Sequence, residues 1–260
     1  MSVGVGREIW LERVRASMEG FCATLAESTE GGSVIRREGL FASLIPAAPK
    51  RSVFNSVIYA DGDAIVDALD ELAERYAAAG ILAWTVWVPE ADRSTAERLA
   101  EAGHLLDAAP RAMGLELERA ERADLGELDW FRDCDLITVG RVNDLAYGYS
   151  DRTFENALAH LPAERAHSYG VRVDGEIAAV LVADDFNEDT EIAWVATTEA
   201  ARGRGLATAL MRQSLWDARE RGQRTATLQA TKLGTPVYAR LGFDDFGALE
   251  MWERRCEEAR

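Results

Sequence analysis

Cysteine and histidine are scarce, with three of each in 260 residues. Cys22, Cys134 and Cys256 are odd in number, far apart, form no CxxC pair and have no histidine at metal-ligand spacing. That excludes a disulfide framework or a structural zinc and leaves the expectation of reduced cytosolic thiols, with metal ligands absent. His104, His160 and His167 do not cluster and take no role. Long apolar runs are also missing: no eighteen consecutive residues are apolar, and Arg7, Glu8, Glu12 and Arg13 stand where a secretory leader needs an apolar core. The expectation is a cytoplasmic chain with no membrane partner. Positive charge is in deficit, 29 Lys and Arg against 45 Asp and Glu, for a formal charge of −16. Such a field repels phosphate at long range, so nucleic acid is excluded as a partner and a cationic small molecule is favoured. An anionic ligand would need a local basic pocket.

What is present is enough to fold. Hydrophobic residues make up 48% and charged residues 28%, and at about 150 residues per domain the length implies two packed units. Strand and helix signals alternate over 167–230: His167 to Asp174, Glu176 to Ala183, Glu191 to Thr197, a helix from Gly205 closed by Gly222, then Thr225 to Ala230. Ala207, Leu210, Met211, Ser214, Leu215 and Ala218 form one face of that helix. Asp174-Gly175 reads as a tight hairpin and Asp184 to Asp189 as a longer polar turn.

The first half repeats the order more weakly. Val53 to Tyr59 reads as a strand, Ile65, Leu69, Leu72 and Tyr76 as a helix face closed by Gly80, and Ile81 to Val88 as an apolar strand. A second helix follows in each half, over Ser94 to Gly103 and Pro236 to Gly242. Gly80 to Gly103 spans 23 residues and Gly222 to Gly242 spans 20, so the halves read as degenerate copies of one unit. The charged stretch Glu116 to Glu127 suits an exposed connector, which divides the chain into 1–120 and 121–260, with Met113 to Leu117 a strand for either sheet. The fold class expected is α/β, a mixed α+β sheet in two tandem domains.

The most informative segment runs from Ile192 to Thr208, where a buried strand meets a glycine turn that opens directly into a helix. Gly203 and Gly205 let backbone N–H groups approach a ligand, and the helix N-terminus adds partial positive charge. Arg202 and Arg204 supply local cations that match phosphate oxygens. A Walker loop and a Rossmann fingerprint both fail on spacing, the latter at Thr208.

Here the sequence resembles the GNAT superfamily of N-acetyltransferases. Arg202-Gly203-Arg204-Gly205-Leu206-Ala207 fits its R/Q-x-x-G-x-G/A signature, and Tyr238-Ala239-Arg240-Leu241-Gly242-Phe243 fits its Y-x-x-x-G-F segment one strand and one helix later. The resemblance covers about 130–255 and extends in outline over the first half as a tandem copy. It implies acetyl-CoA as cofactor, its pyrophosphate wrapped by Arg202 to Thr208, its pantetheine beside Ala196 and Thr197, and the Val195 N–H as oxyanion donor. The first copy departs from the pattern: Ala60-Asp61-Gly62-Asp63 replaces the loop, where carboxylates repel a pyrophosphate, and Leu99 stands where Tyr238 does in the second. Thr231 replaces an asparagine that many relatives place against the cofactor arm.

Acyl transfer to an amine needs a neutral nucleophile, a stabilised oxyanion and a proton for the departing thiolate. Strand alternation puts Glu191, Ala193, Val195 and Thr197 on one face and Trp194 on the other, in the core. The histone-acetylating branch carries a general-base glutamate at the place of Glu191, which makes Glu191 the expected base, and Tyr238 resembles the general acid. Asn143, Asp144 and Tyr147, on a helix early in the second half, are candidates to grip the substrate amine, and Glu250 and Trp252 to line the acceptor pocket. The expected function is transfer of an acetyl group to a primary amine of a small molecule or a protein, with the first half forming a wall of the acceptor site or a homodimer surface. The rival is an acyl-CoA-binding regulatory protein without turnover.

Overall fold

The computed structural model describes residues 3–162 and 165–256. The first half runs α1 (Val3–Ser28), β1 (Ser33–Arg37), β2 (Leu40–Leu44), β3 (Ser56–Tyr59), α2 (Gly62–Ala78), β4 (Ala83–Pro89), α3 (Arg93–Glu101), β5 (Leu105–Ala108) and β6 (Arg111–Glu116). The second runs β7 (Asp129–Arg132), α4 (Leu136–Tyr147), α5 (Thr153–Leu158), β8 (Ala166–Val173), β9 (Glu176–Phe186), β10 (Asp189–Thr197), α6 (Leu206–Glu220), β11 (Thr225–Ala230), α7 (Thr235–Arg240) and β12 (Asp244–Arg255). The mixed α/β sheet expected from the sequence is present.

Each half contains one parallel strand pair joined by a crossover helix. β3 pairs with β4 across α2, and β10 with β11 across α6; the other pairings are antiparallel. A parallel pair cannot be closed by a tight turn, so the amphipathic helix is what the connection requires. α2 buries Ile65, Leu69, Leu72 and Tyr76, the face expected of it, and α6 buries Leu210, Met211, Ser214, Leu215 and Ala218. The β8–β9 hairpin turns at Asp174-Gly175, both at positive φ. The polar turn expected over Asp184 to Asp189 is tighter: β9 continues to Phe186, and only Asn187 and Glu188 turn, again at positive φ. Such a two-residue turn matches the twist of the flanking strands.

The sheet does not stop at the connector. Its order is β1-β2-β3-β4-β12-β6-β11-β10-β9-β8-β7, with β5 paired to β12. β6, from the first half by sequence, pairs along its length with β11, from Arg111 opposite Ala230 to Glu116 opposite Thr225. β12, from the second half, pairs with β4 from Leu249 opposite Pro89 to Arg255 opposite Ala83. The halves therefore exchange their last strands.

Candidate active site

β10 and β11 are neighbours only from Asp189 to Glu191. Beyond Glu191 they part, and on its other side β10 bulges: Ala193 faces Val182 and Ala196 faces Val180, so three residues of β10 advance against two of β9. Trp194 sits in the bulge at φ +52°. This is an extra residue in one strand, which shifts everything beyond it to the opposite face. Two expectations change as a result. Val195 does not share a face with Glu191 and Ala193: it packs with Ile192 against the α6 side of the sheet, whereas Ala193 and Ala196 pack on the α4 side. Trp194 does not alternate away from Ala193 but joins it, its indole stacked on Phe54 at 5.1 Å and edge-on to Phe154 at 5.0 Å.

The gap opens onto a cavity of about 220 Å³ whose lining includes Glu191, Val195, Thr231, Tyr147 and Tyr238. Glu191 is only 3% exposed, and its Oε2 has no hydrogen-bond partner among the described residues. Burial, reinforced by the nearby charges of Asp184 and Asp189, pushes its carboxyl well above the usual range, while the Gln229 amide offsets part of the rise. The protonated form is thus favoured over what an exposed glutamate would show. Burial, with a contribution from Tyr147, pushes Tyr238 up to about 12, so its phenol keeps its proton. Tyr238 is held on α7 against Phe243, with ring centroids 6.0 Å apart.

The other end of the gap is the start of α6. Gly203 and Gly205 both lie at φ near +75°, with open space where a Cβ would project. Gly205 is the N-cap and no side chain caps the helix. Among the described residues the first amide here with a backbone partner inside the helix start is Ala209, which donates to the Gly205 carbonyl at 3.0 Å. The N–H groups preceding it form an uncapped, solvent-facing cluster, the arrangement that a diphosphate satisfies. Arg204 is exposed beside it. Arg202 is turned elsewhere: its Nη2 donates to the Ala146 carbonyl at 2.9 Å and so ties the loop to the end of α4.

The matching place in the first half is built differently. Two residues, not eight, separate β3 from α2, and the Asp61 carboxylate accepts the Asp63 N–H at 3.0 Å, so an acid already occupies the helix start. Leu99, in the position of Tyr238, is fully buried.

Four further candidates, Asn143, Asp144, Glu250 and Trp252, are placed outside the cavity. Asn143 donates through Nδ2 to the carbonyls of Val139 and Trp194, at 3.0 and 3.1 Å, which anchors the bulge. Asp144 accepts the Phe154 and Glu155 N–H groups, both at 3.1 Å, and holds the start of α5. Glu250 pairs with Arg93 at 2.7 Å and accepts the Trp252 indole N–H at 2.8 Å. Met251 between them faces the cavity opposite Trp87. Thr231 lines the cavity while its Oγ1 accepts the Gly234 N–H at 3.2 Å and shapes the turn into α7. Sequence reasoning missed the wall supplied by α1, where Met18, Phe21, Cys22 and Leu25 point into the cavity. The apolar spacing of Val14, Met18, Phe21 and Leu25 was the available signal.

The comparisons agree with this geometry. Residues 128–243 match the sequence model of the Acetyltransferase (GNAT) family. No curated protein matches the chain. Among solved structures, a GCN5-related N-acetyltransferase from Kribbella flavida is similar with a TM-score of 0.69 at 16% identity, covering 94% of this chain and 95% of its own. A conserved protein of unknown function from Staphylococcus epidermidis is similar with a TM-score of 0.65 at 14% identity, covering 87% and 95%. A tandem GNAT protein from the clavulanic acid biosynthesis pathway is similar with a TM-score of 0.59 at 14% identity, covering 96% and 97%. At such identities these likenesses show the fold, and they span both halves. No helix among the described residues is long and apolar enough to cross a membrane. Residues 128–243 thus resemble the GNAT acetyltransferase family in sequence, and the chain as a whole shares the fold of the solved GNAT structures.

Proposed function

We propose that this protein is an acetyl-CoA-dependent N-acetyltransferase that acts by direct attack of a primary amine within a ternary complex. Residues 121–260 hold the cofactor, and 1–120 are a degenerate copy that keeps the crossover geometry but not the loop. One observation carries the reading. The strands part at the residue where an unpartnered buried carboxyl faces a cavity, and the same gap ends at an uncapped helix start framed by two left-handed glycines. An elongated molecule with a diphosphate at one end and a reactive group at the other fits both.

The residues present suit that cofactor. Amides of Gly203 to Thr208 and the Arg204 guanidinium would take the pyrophosphate, with the arm lying along Ala196, Thr197 and Thr231. When bound, the thioester supplies an electrophilic carbonyl carbon and a thiolate leaving group. Val195 lies in the bulge, without a register partner on β9 or β11. The missing register partner supports its N–H as the donor to a developing oxyanion. Glu191 takes the proton that the amine sheds as the N–C bond forms, and Tyr238 donates one to the sulfur that leaves with the C–S electron pair. The balance is an amine and a thioester in, an amide and a thiol out. The raised proton affinity of Glu191 matters here: a cationic acceptor beside it favours the carboxylate, which is then a stronger base than an exposed one.

A thiol-release assay with acetyl-CoA and a set of amines tests this. Glu191→Gln and Tyr238→Phe should each lower kcat about 10²- to 10⁴-fold, with stabilisation by CoA retained. CoA binding with no turnover on any amine would instead support a regulatory protein that senses acyl-CoA.

A further inference from the structure

The acceptor end of the cavity is unlike the surface of the molecule. The chain carries a formal charge of −16, yet among the described residues Glu191 is the only Asp, Glu, Lys or Arg in the cavity lining. Around that carboxyl the walls are thioether, aliphatic and aromatic. Met18, Phe21 and Leu25 come from one face of α1, Trp87 from β4, Met251 from β12 and Trp194 from the bulge. Phe21 and Trp194 lie 6.0 Å apart, ring to ring. Of the polar groups of the wall, Ser56 Oγ donates to the Val53 carbonyl at 2.9 Å and accepts the Trp87 indole N–H at 2.9 Å, while Gln229 Nε2 and Trp194 Nε1, both N–H donors that cannot neutralise a second cation, have no partner among the described residues. Most of this wall belongs to the first half.

We infer that the acceptor is a compact monoamine with an apolar body of aromatic size, its nitrogen at Glu191 and its body among Phe21, Trp87 and Trp194. The inference rests on the acetyltransferase reading and gives that site its substrate class. Three arguments converge on it. Glu191 can meet one ammonium, and a second charge on the same molecule would be desolvated against methionine and tryptophan without a counter-ion, at a cost of several kcal/mol. Aromatic faces, by contrast, favour a single cation close to them and bury an apolar body well. The volume, about 220 Å³, is below the roughly 300–1,000 Å³ of sites for drug-sized ligands, so an oligosaccharide amine cannot be enclosed, and a lysine side chain would leave the aromatic walls largely uncovered. In the reaction the ammonium first gives one proton to the Glu191 carboxylate and becomes the free amine; as the N–C bond forms and the C–S bond breaks, the nitrogen sheds a second proton, which balances the one that Tyr238 gives the departing thiolate, leaving a neutral amide in an apolar pocket and a free thiol.

The test uses the purified full chain with acetyl-CoA, following thiol release with phenethylamine, spermidine and a lysine-bearing peptide at matched concentrations. kcat/KM should be at least tenfold higher for phenethylamine than for either other amine. Val53→Trp, which narrows the cavity from a half-buried position, should raise the KM for phenethylamine at least tenfold while CoA still raises the melting temperature. Should that variant not fold, Met18→Ala serves in its place by enlarging the wall, and it should improve kcat/KM for naphthylethylamine relative to phenethylamine. Preference for spermidine or the peptide overturns the inference, as does CoA stabilisation without turnover of any monoamine. If CoA fails to stabilise the wild-type protein, the acetyltransferase reading itself falls, and the inference with it.

Discussion

Glu191 is where the chemistry and the stability of the molecule pull in different directions. Burial raises the proton affinity of its carboxyl, with Asp184 and Asp189 adding to the effect. An unfolded chain would ionise this group at about 4.3, whereas the folded one keeps its proton to higher pH. Between those limits the folded state binds more protons, so this group's contribution is complete below the unfolded value and is lost as pH rises through the folded one. Glu191→Gln removes that penalty. Its melting temperature at pH 8 should exceed the wild type's, by about 2–4 °C for each kcal/mol relieved, and the gap should close towards pH 4. A calorimetric pH series checks the sign: a Gln variant less stable than wild type at pH 8 would mean that the carboxylate is satisfied after all. In the proposed mechanism the same group sets the activity profile, since a base must be ionised. kcat/KM should rise with pH through a value above the ordinary carboxylate range, and no Glu191→Gln residual activity should show that limb. The residue type and its place on a strand were legible in the sequence. Its isolation was not, because that depends on what α1 and β11 bring from far along the chain.

At the scale of elements the sequence spoke clearly wherever a single period governed. Thr225 to Ala230 is a strand at the bounds that alternation and turn residues suggest, and α6 lies between Gly205 and Gly222 because one apolar face and two left-handed glycines delimit it. The bulge was invisible. A tryptophan at φ +52° has no local signature, and its backbone is held by a side chain fifty-one residues away, Asn143, whose amide grips the Trp194 carbonyl. Asn143→Ala therefore belongs among the site variants although it lies outside the cavity. It should cut kcat about tenfold or more through misplacement of Val195, with the affinity for CoA less affected, since the α6 loop is untouched. Asn143→Asp cannot donate to that carbonyl and should behave like the alanine variant. The turn at α6 offers the converse test. Gly203→Ala and Gly205→Ala meet open space but a left-handed backbone, a conformational cost of about 1–2 kcal/mol. CoA-induced stabilisation should fall in both while the pH dependence of the protein's own stability stays as in wild type.

For the whole molecule, the exchange of last strands decides how the halves depend on each other. Without β12, β4 loses its partner from Ala83 to Pro89, and without β6, β11 loses its partner from Thr225 to Ala230. Each half alone would expose an apolar strand edge, which proteins avoid because it templates aggregation. α1 adds a polar clasp across the same boundary: Ser17 donates to Asp189 at 2.6 Å, and Thr225 and Thr227 donate to the same carboxylate at 2.6 Å each. That clasp fixes the start of β10, and with it the residue at which β10 and β11 separate. The like order of strand, crossover helix and strand in the two halves was readable from the spacing of helix-closing glycines, but periodicity describes one half at a time and carries no information about which half a final strand joins. Two consequences can be measured. Thermal unfolding should be a single transition whether followed by tryptophan fluorescence or by far-ultraviolet circular dichroism, since no half retains a complete sheet. Residues 121–260 expressed alone should fail to be stabilised by CoA although they contain the entire loop, and co-expression with residues 1–120 should restore that stabilisation. Binding by the isolated second half at full strength would show that the exchanged strands are dispensable for the cofactor site and that the first half serves the acceptor alone.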